Sequence, residues 1–319
     1  MSPDIPSAVV SNGTLPSQRK IISSLKDLVS SSQEAGLLAP AIVFVGNAIG
    51  RTGVRANWFE KRVLFGRRIV LSRPAGQVSK FKEKLELLGA EVIELPLIKI
   101  LPSEDKKVIA EVFAGIAYYA WSVFTCDYCA LVFLRLFFLS YGDIRCFGPM
   151  RIACVGESTA EVFRNLCLEV EIVAEKSIAE SLAKELVATD SLDSANVLVV
   201  SGNRNRQVLV KMLEDVGHAI VDTLPLYETD FSDVTEATDL PKFREFGADA
   251  IIFTSSSTAL SYIEQEEDLV LDENAIKPVI CSFGPETTKT LLVNDLAVDL
   301  ECTIPSIEDM INMLVKYFS

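Results

Sequence analysis

The chain has 319 residues, 49% of them hydrophobic and 23% charged, which is room for two or three globular domains of ordinary composition. Its net charge of −14 excludes a broad basic face for nucleic acid and opposes attraction to anionic lipid, so any anion it binds must be held by locally arranged Arg, Lys and backbone N–H groups. One histidine, His218, leaves no room for a His-based triad or metal centre. Seven cysteines without regular spacing point to a reducing, cytoplasmic setting.

Nothing at the N-terminus has the pattern of a secretory signal. Ser7 to Val10 reads as a strand and Asn12-Gly13-Thr14 as a turn. Ile21, Ile22, Leu25 and Leu28 have helical spacing and predict a helix over residues 18–31, followed by a second strand from Pro40 to Gly46. Residues 1–62 are thus a short βαβ extension, too small for a comfortable core of its own. Further on, Leu88-Gly89 leads through an apolar run to Glu94-Leu-Pro-Leu97, and Val216-Gly217 leads through a second to Thr223-Leu-Pro-Leu226. An apolar run closed by proline predicts a strand that leaves its sheet there. The two exits read as paired connections, a hinge between two lobes. His218, after the helix-ending Gly217, is a surface turn residue. The most apolar run, Ile109 to Leu139, is broken by Ser122, Thr125, Asp127 and Arg135, which suits a strand and a buried helix and not a membrane span. Cys126 and Cys129 form a C-x-x-C with no second pair, and are not read as a zinc or redox site.

The two halves echo one another. Val70-Leu71-Ser72 matches Val199-Val200-Ser201 (199 − 70 = 129) and Phe124-Thr125 matches Phe253-Thr254 (253 − 124 = 129). Gly156 matches Gly284 (284 − 156 = 128), and Ser177-Ile178 matches Ser306-Ile307 (306 − 177 = 129). Marks that keep order and spacing argue for an internal duplication of a domain-sized α/β unit.

Five segments then share one pattern, an apolar strand, small polar residues and a helix: Thr125-Cys-Asp127, Gly156-Glu-Ser158-Thr159, Ser201-Gly202-Asn203, Thr254-Ser255-Ser256-Ser257 and Gly284-Pro-Glu-Thr287. Such helix starts leave backbone N–H groups unpaired, and the helix dipole favours an anion. In parallel α/β sheets these ends cluster on one edge, where ligands bind. Plain N-capping accounts for each residue singly; five ends facing one groove would make a ligand site. Arg73, Arg204 and Arg206 are the cations placed to join it, or else solvated surface charges.

The opening segment, Ser7-Ala-Val-Val-Ser-Asn-Gly13-Thr14-x-x-x-Gln18, then Pro40-Ala-Ile-Val-Phe-Val-Gly46 and Trp58-Phe59, resembles the carboxyl end of uroporphyrinogen-III C-methyltransferase. In that family the Gly-Thr segment lines the S-adenosylmethionine pocket. The glycine-rich cofactor loop is missing here and Asn47 to Gly53 replaces the usual hydrophobic-basic stretch, so residues 1–62 are expected to be a truncated remnant without methyl transfer.

From Gly66 to Ser319 the chain resembles uroporphyrinogen-III synthase. The marks, in order, are Arg68-Ile-Val-Leu-Ser-Arg73-Pro74, Leu85 to Pro96, Val123-Phe124-Thr125, Val155-Gly156-x-x-Thr159-Ala160, Ser201-Gly202-Asn-Arg-Asn-Arg206, Leu224-Pro-Leu-Tyr227-Glu-Thr229, Phe253-Thr254-Ser255 and Gly284-Pro285-x-Thr287. The resemblance implies two similar parallel-sheet α/β lobes joined by a two-stranded β connector. Residues 66–98 with 229–319 would form one lobe and 102–226 the other. It implies a lyase that cyclises hydroxymethylbilane, an open tetrapyrrole with eight carboxylates, to uroporphyrinogen III with loss of water and inversion of the last ring, without cofactor or metal. Its substrate-binding residues would be Arg73, Thr125, Thr159, Ser201, Gly202, Arg206, Thr254, Ser255, Gly284 and Thr287. Tyr227, at the family's Tyr position, would help protonate the leaving hydroxyl, with packing between lobes as its other reading. A monomer is expected, with channelling from hydroxymethylbilane synthase or to a methyltransferase, and with no membrane or nucleic-acid partner. The sequence departs from the family at Cys126-Asp127, where a carboxylate facing a polycarboxylate would be unfavourable; Asp127 either caps its own helix or weakens that end. A two-lobed binding protein without catalysis, or a vestigial partner subunit, fits the same length and duplication.

Overall fold

Three short strands open the chain: Pro6–Ser11 (β1), Arg19–Ser24 (β2) and Ala41–Val45 (β3), with the helix Leu28–Glu34 (α1) before β3. The computed structural model describes residues 1–49, 58–74, 78–176, 178–203 and 207–319. Arg204, Arg206, Ser177 and residues 50–53 lie outside the described residues.

The single helix expected over residues 18–31 is not formed. Its first half is β2, which pairs antiparallel with β1 (Val9↔Ile21, Ala8↔Ile22), while β3 pairs antiparallel on the other side. The extension is therefore a ββαβ segment with a three-stranded antiparallel sheet, not a βαβ unit. Two adjacent β-branched residues, Ile21 and Ile22, suit a strand, and β1 needs a partner on both edges to satisfy its backbone. That pairing overrides a helical spacing read from only four residues.

The chain divides into two compact units, Met1–Lys99 with Phe231–Ser319, and Ile100–Asp230. The first unit holds, besides the N-terminal sheet, the strands Arg68–Leu71 (β4) and Glu91–Glu94 (β5) with the helix Ser79–Leu87 (α2) between them. It also holds the helix Leu240–Phe246 (α8), the strands Ala250–Phe253 (β12), Val279–Ser282 (β13) and Leu300–Glu301 (β14), and the helices Ser256–Glu264 (α9), Pro285–Val293 (α10) and Ile307–Phe318 (α11). The sheet order is β14-β13-β12-β4-β5, parallel throughout. Both faces are covered. Ile69, Leu71, Ile252 and Cys281 enter one core, and the intervening Val70, Ile93, Ile251 and Phe253 enter the other. This is why the strands read as continuous apolar runs.

In the second unit the strands are Ile98–Pro102 (β6, which begins in the first unit), Trp121–Phe124 (β7), Arg151–Cys154 (β8), Ile172–Val173 (β9), Asn196–Gly202 (β10) and Ile220–Phe231 (β11). The helices are Lys106–Ala114 (α3), Asp127–Tyr141 (α4), Glu157–Arg164 (α5), Ala179–Val187 (α6) and Gln207–Asp215 (α7). The order is β6-β11-β10-β7-β8-β9. Strand for strand, β11-β10-β7-β8-β9 repeats β5-β4-β12-β13-β14, and the strand starts keep the offset seen in the sequence: 250 − 121 = 129, 279 − 151 = 128, 300 − 172 = 128. The order in the chain differs: β4 precedes β12, whereas β10 follows β7. The apolar run around residue 130 is a strand and a buried helix, as its interruptions predict, with Phe133 and Phe137 of α4 fully buried.

The two Leu-Pro-Leu segments do not behave alike. At the first, β5 ends at Glu94 and β6 begins at Ile98. At the second, no strand ends: β11 runs through Pro225, opposite Ser201, and the register slips between Ser201 and Gly202 so that Gly202 faces Tyr227. The missing proline N–H is absorbed at that bulge instead of terminating the strand.

Candidate active site

In the second unit the ends of β7 and β10 come together beside the bulge of β11. Thr125 follows β7, and its hydroxyl donates to the Val200 carbonyl of β10 at 3.3 Å. Cys126, extended and half-buried, is the N-cap of α4, and its Sγ accepts from the Cys129 N–H at 3.3 Å. Asp127 is exposed and takes the Tyr128 N–H at 2.8 Å, so its carboxylate is engaged by the first turn of its own helix. The i, i+3 spacing brings Cys129 Sγ to 2.9 Å from Cys126 Sγ, and the Tyr227 hydroxyl lies 3.4 Å from Cys126 Sγ.

Tyr227 is fixed on all sides. Its ring meets Tyr128 edge to face at 5.1 Å between centroids, its carbonyl accepts from the Asn203 N–H at 2.9 Å, and the Asn203 side chain accepts from the Thr229 N–H at 3.0 Å. Gly202 is the floor under the ring: a Cβ there would lie 2.5 Å from Tyr227 Cε2 and Cζ. Burial, then the neighbouring Cys126 and Cys129, hold the Tyr227 phenol above the usual tyrosine range. It stays protonated at neutral pH and is a hydrogen-bond donor there, not a base.

Ser201 and Thr159 are buried, at 2% exposure each, and the Ser201 hydroxyl donates to the Gly202 carbonyl. Ser201, Gly202 and Asn203 line a concavity of about 790 Å³ together with Asp105, Lys211 and Glu228. Among its described lining residues, four carboxylates (Glu104, Asp105, Glu214, Glu228) face one lysine. The helix starts differ: α5 begins at Gly156 with no side-chain cap bond, so its first-turn N–H groups are not occupied by a capping oxygen.

In the first unit the matching tips carry the remaining residues. Ser255 is the N-cap of α9 in a capping box with Thr258. Gly284 is the N-cap of α10, again with no side-chain cap bond, as at the equivalent Gly156. The two helix starts are tied together by Ser256 Oγ, which donates to the Glu286 carbonyl at 3.2 Å. Thr254 is half-buried and Thr287 is buried at 5% exposure. Arg73 sits after β4 with its guanidinium 5.5 Å from the Phe283 ring centroid. In this unit the structure thus brings Thr254, Ser255, Gly284 and Thr287 to the α9 and α10 starts, and in the other Thr125, Ser201, Gly202 and Tyr227 to one cluster. Arg206 lies outside the described residues. Sequence reasoning passed over Tyr128 and Cys129 beside Tyr227, and named Asn203 only as part of the Ser201-Gly202-Asn203 segment; the C-x-x-C at a helix start was the legible signal for the cysteines. Among the described residues, no three of His, Cys, Asp and Glu group as a metal site, and no helix is long and apolar enough to cross a membrane.

Residues 79–312, most of both repeats, match the family described as "Uroporphyrinogen-III synthase HemD". A "Porphyrin biosynthesis protein HemD" of Ruminiclostridium josui is 27% identical over 272 residues, covering 85% of this chain and 53% of that protein. The chain thus spans about half the length of that relative. A "Uroporphyrinogen-III synthase" of Synechococcus elongatus is 31% identical over 236 residues, 71% of this chain and 86% of that one. In fold, a uroporphyrinogen III synthase of Thermus thermophilus superposes with a TM-score of 0.54 at 14% identity, over 78% of this chain and 98% of the other. A sequence match that runs through both repeats, on sheets that repeat one strand order, leaves one conclusion: the chain belongs to the uroporphyrinogen-III synthase family.

Proposed function

We propose that the protein is a uroporphyrinogen-III synthase, a cyclising lyase that converts hydroxymethylbilane to uroporphyrinogen III. The observation that carries this reading is the family match across residues 79–312. The reaction is one a rigid scaffold can direct. Hydroxymethylbilane loses its terminal hydroxyl to give an azafulvene cation; the far ring attacks through its substituted carbon, and the spiro intermediate reopens with that ring inverted. Because free hydroxymethylbilane closes unaided to the uninverted isomer, the protein's task is orientation of both ends. The uncapped starts of α5 and α10 supply backbone N–H groups for carboxylates, and Arg73, Thr125, Thr254 and Ser255 stand at neighbouring tips within their units. Thr159, Thr287 and Ser201 act through buried packing under those tips, and Gly202 by making room for Tyr227. Tyr227 donates a hydrogen bond to the departing hydroxyl; its raised pKa keeps the proton on the phenol and makes it a hydrogen-bond donor and not a strong acid.

The reading needs no cofactor. It sets the reaction in the cytoplasm, carried out by a monomer that receives its substrate from hydroxymethylbilane synthase or passes its product to a methyltransferase; seven free cysteines support a reducing compartment. The deciding assay supplies hydroxymethylbilane from its synthase and separates uroporphyrin isomers I and III after oxidation. Isomer III above the protein-free control is expected. Isomer I alone would overturn the reading.

A further inference from the structure

We propose that Cys126 and Cys129 are a reversible dithiol–disulfide couple, a modification site that low-molecular-weight disulfides oxidise and that acts on the hydrogen bond of Tyr227. Four observations place it. The sulfurs lie 2.9 Å apart, so closing a bond of about 2.05 Å asks for roughly 0.9 Å of movement, within reach of small side-chain rotations. Cys126 is half-buried and Cys129 fully buried, an asymmetry that leaves one sulfur to be attacked by solutes and one to resolve. Cys126 caps the fifteen-residue helix α4, where the dipole and the Cys129 N–H favour a thiolate. Finally, among the described residues no third Cys, His or carboxylate completes a metal site around the pair.

The electrostatics follow the geometry. Hydrogen bonding from the Cys129 thiol, then from the Tyr227 hydroxyl, lowers the Cys126 thiol below the usual range against burial and the nearby Asp127 carboxylate. Cys129 is pushed the other way, by its bond to Cys126 and by burial. Cys126 is therefore the attacking sulfur and Cys129 the proton-bearing one.

The chemistry balances as thiol–disulfide exchange. The Cys126 thiolate attacks one sulfur of a small disulfide, forming a mixed disulfide and expelling one thiolate. That thiolate takes the Cys129 proton, and Cys129 sulfur attacks the Cys126 sulfur, expelling the second small thiolate, which takes up the proton that Cys126 released on ionising. Two protein thiols and one small disulfide become one protein disulfide and two small thiols. Oxidation moves the Cys126 sulfur, which lies 3.4 Å from the Tyr227 hydroxyl, into a disulfide, so the phenol loses its thiol partner.

The couple itself stands on the cysteine geometry; its effect on turnover rests on the synthase reading. The full chain is equilibrated with glutathione disulfide and glutathione over a range of ratios, quenched with maleimide, and mapped by proteolysis and mass spectrometry. The expected result is two fewer labelled cysteines out of seven, a disulfide within the peptide holding residues 126 and 129, and complete reversal by dithiothreitol. Seven labelled cysteines at every ratio, or a disulfide mapped to the exposed Cys146 and Cys167, overturns the couple. Isomer III formation is followed in the same samples. A reversible fall of about tenfold in the oxidised protein, abolished in Cys126→Ser, supports the link to Tyr227. Equal rates in both states overturn that link with the couple intact. No isomer III in either state overturns the synthase reading and the link together, and the labelling still decides the couple.

Discussion

Gly202 and Tyr227 occupy one space: the glycine has no side chain where the tyrosine ring lies, and a Cβ would sit 2.5 Å from two ring carbons. The pairing arises from the bulge in β11, which slips the register by one residue and sets Gly202 opposite Tyr227. Gly202→Ala must therefore move either the ring or the tip of β10. We expect a Tyr227 displaced from Cys126, a loss of isomer III formation of tenfold or more, about 1.4 kcal/mol in barrier, and a stability cost of about 1–3 kcal/mol from overpacking. Urea melts and the isomer assay measure both, and a variant with wild-type turnover would show that the position of this ring does not matter.

Tyr227→Phe keeps the ring on Tyr128 and removes only the hydroxyl. As a donor to the leaving group, the phenol contributes on the order of tenfold in rate, about 1.4 kcal/mol. The share of isomer III should fall as well, because spontaneous closure to isomer I continues at its own rate. A variant that matches wild type in both rate and isomer ratio would make Tyr227 a packing residue.

Much of the fold is legible in the sequence. The near-constant offset of 128–129 residues is now visible as a repeated sheet order, and the glycine at each of two helix starts, Gly156 and Gly284, stands at equivalent caps. What escaped was set by pairing and not by local pattern. Ile21 and Ile22 fit a helix until β1 needs an edge partner, and Pro225 looked like a terminus because a one-residue register slip leaves no mark in the sequence. In the cluster around Tyr227, the tyrosine is marked in the sequence by its place after Leu-Pro-Leu and by the family's Tyr position, while the sulfurs beside it depend on how α4 begins.

Cys154 and Cys281, one in each unit, are fully buried thiols pushed up to about 12, in both cases mainly by burial. An unfolded cysteine titrates near 8.5, roughly. The folded pKa lies above the unfolded one, so the stabilising contribution is complete below pH ~8.5 and is lost as pH rises towards about 12, at about 1.4 kcal/mol per pH unit for each thiol. Between pH 7 and 10, Cys281→Ala should lose about 2 kcal/mol less stability than wild type, whatever the variant costs at neutral pH. Urea midpoints of both proteins at the two pH values read this difference directly, and parallel pH profiles would contradict it.

Gly247 ends α8 with φ 65° and ψ −159°, a region that only glycine enters readily, and there the chain makes a parallel bridge to Ile276. A Cβ at this position would meet the Ile276 backbone, 2.6 Å from its nitrogen and 2.7 Å from its carbonyl carbon, with the carbonyl oxygen nearer still. Backbone atoms cannot yield as a side chain does, so Gly247→Ala must break the bridge that leads into β12. Gly36 is the matched control: its φ is 63°, yet nothing lies within 4 Å of the Cβ it would gain. Gly36→Ala should therefore cost only the local strain, about 1–2 kcal/mol. Gly247→Ala carries a strain of similar order, about 1–3 kcal/mol, and the collision in addition, so its urea midpoint should fall clearly further. If the two variants melt together, the close approach at Ile276 is not what demands glycine at 247.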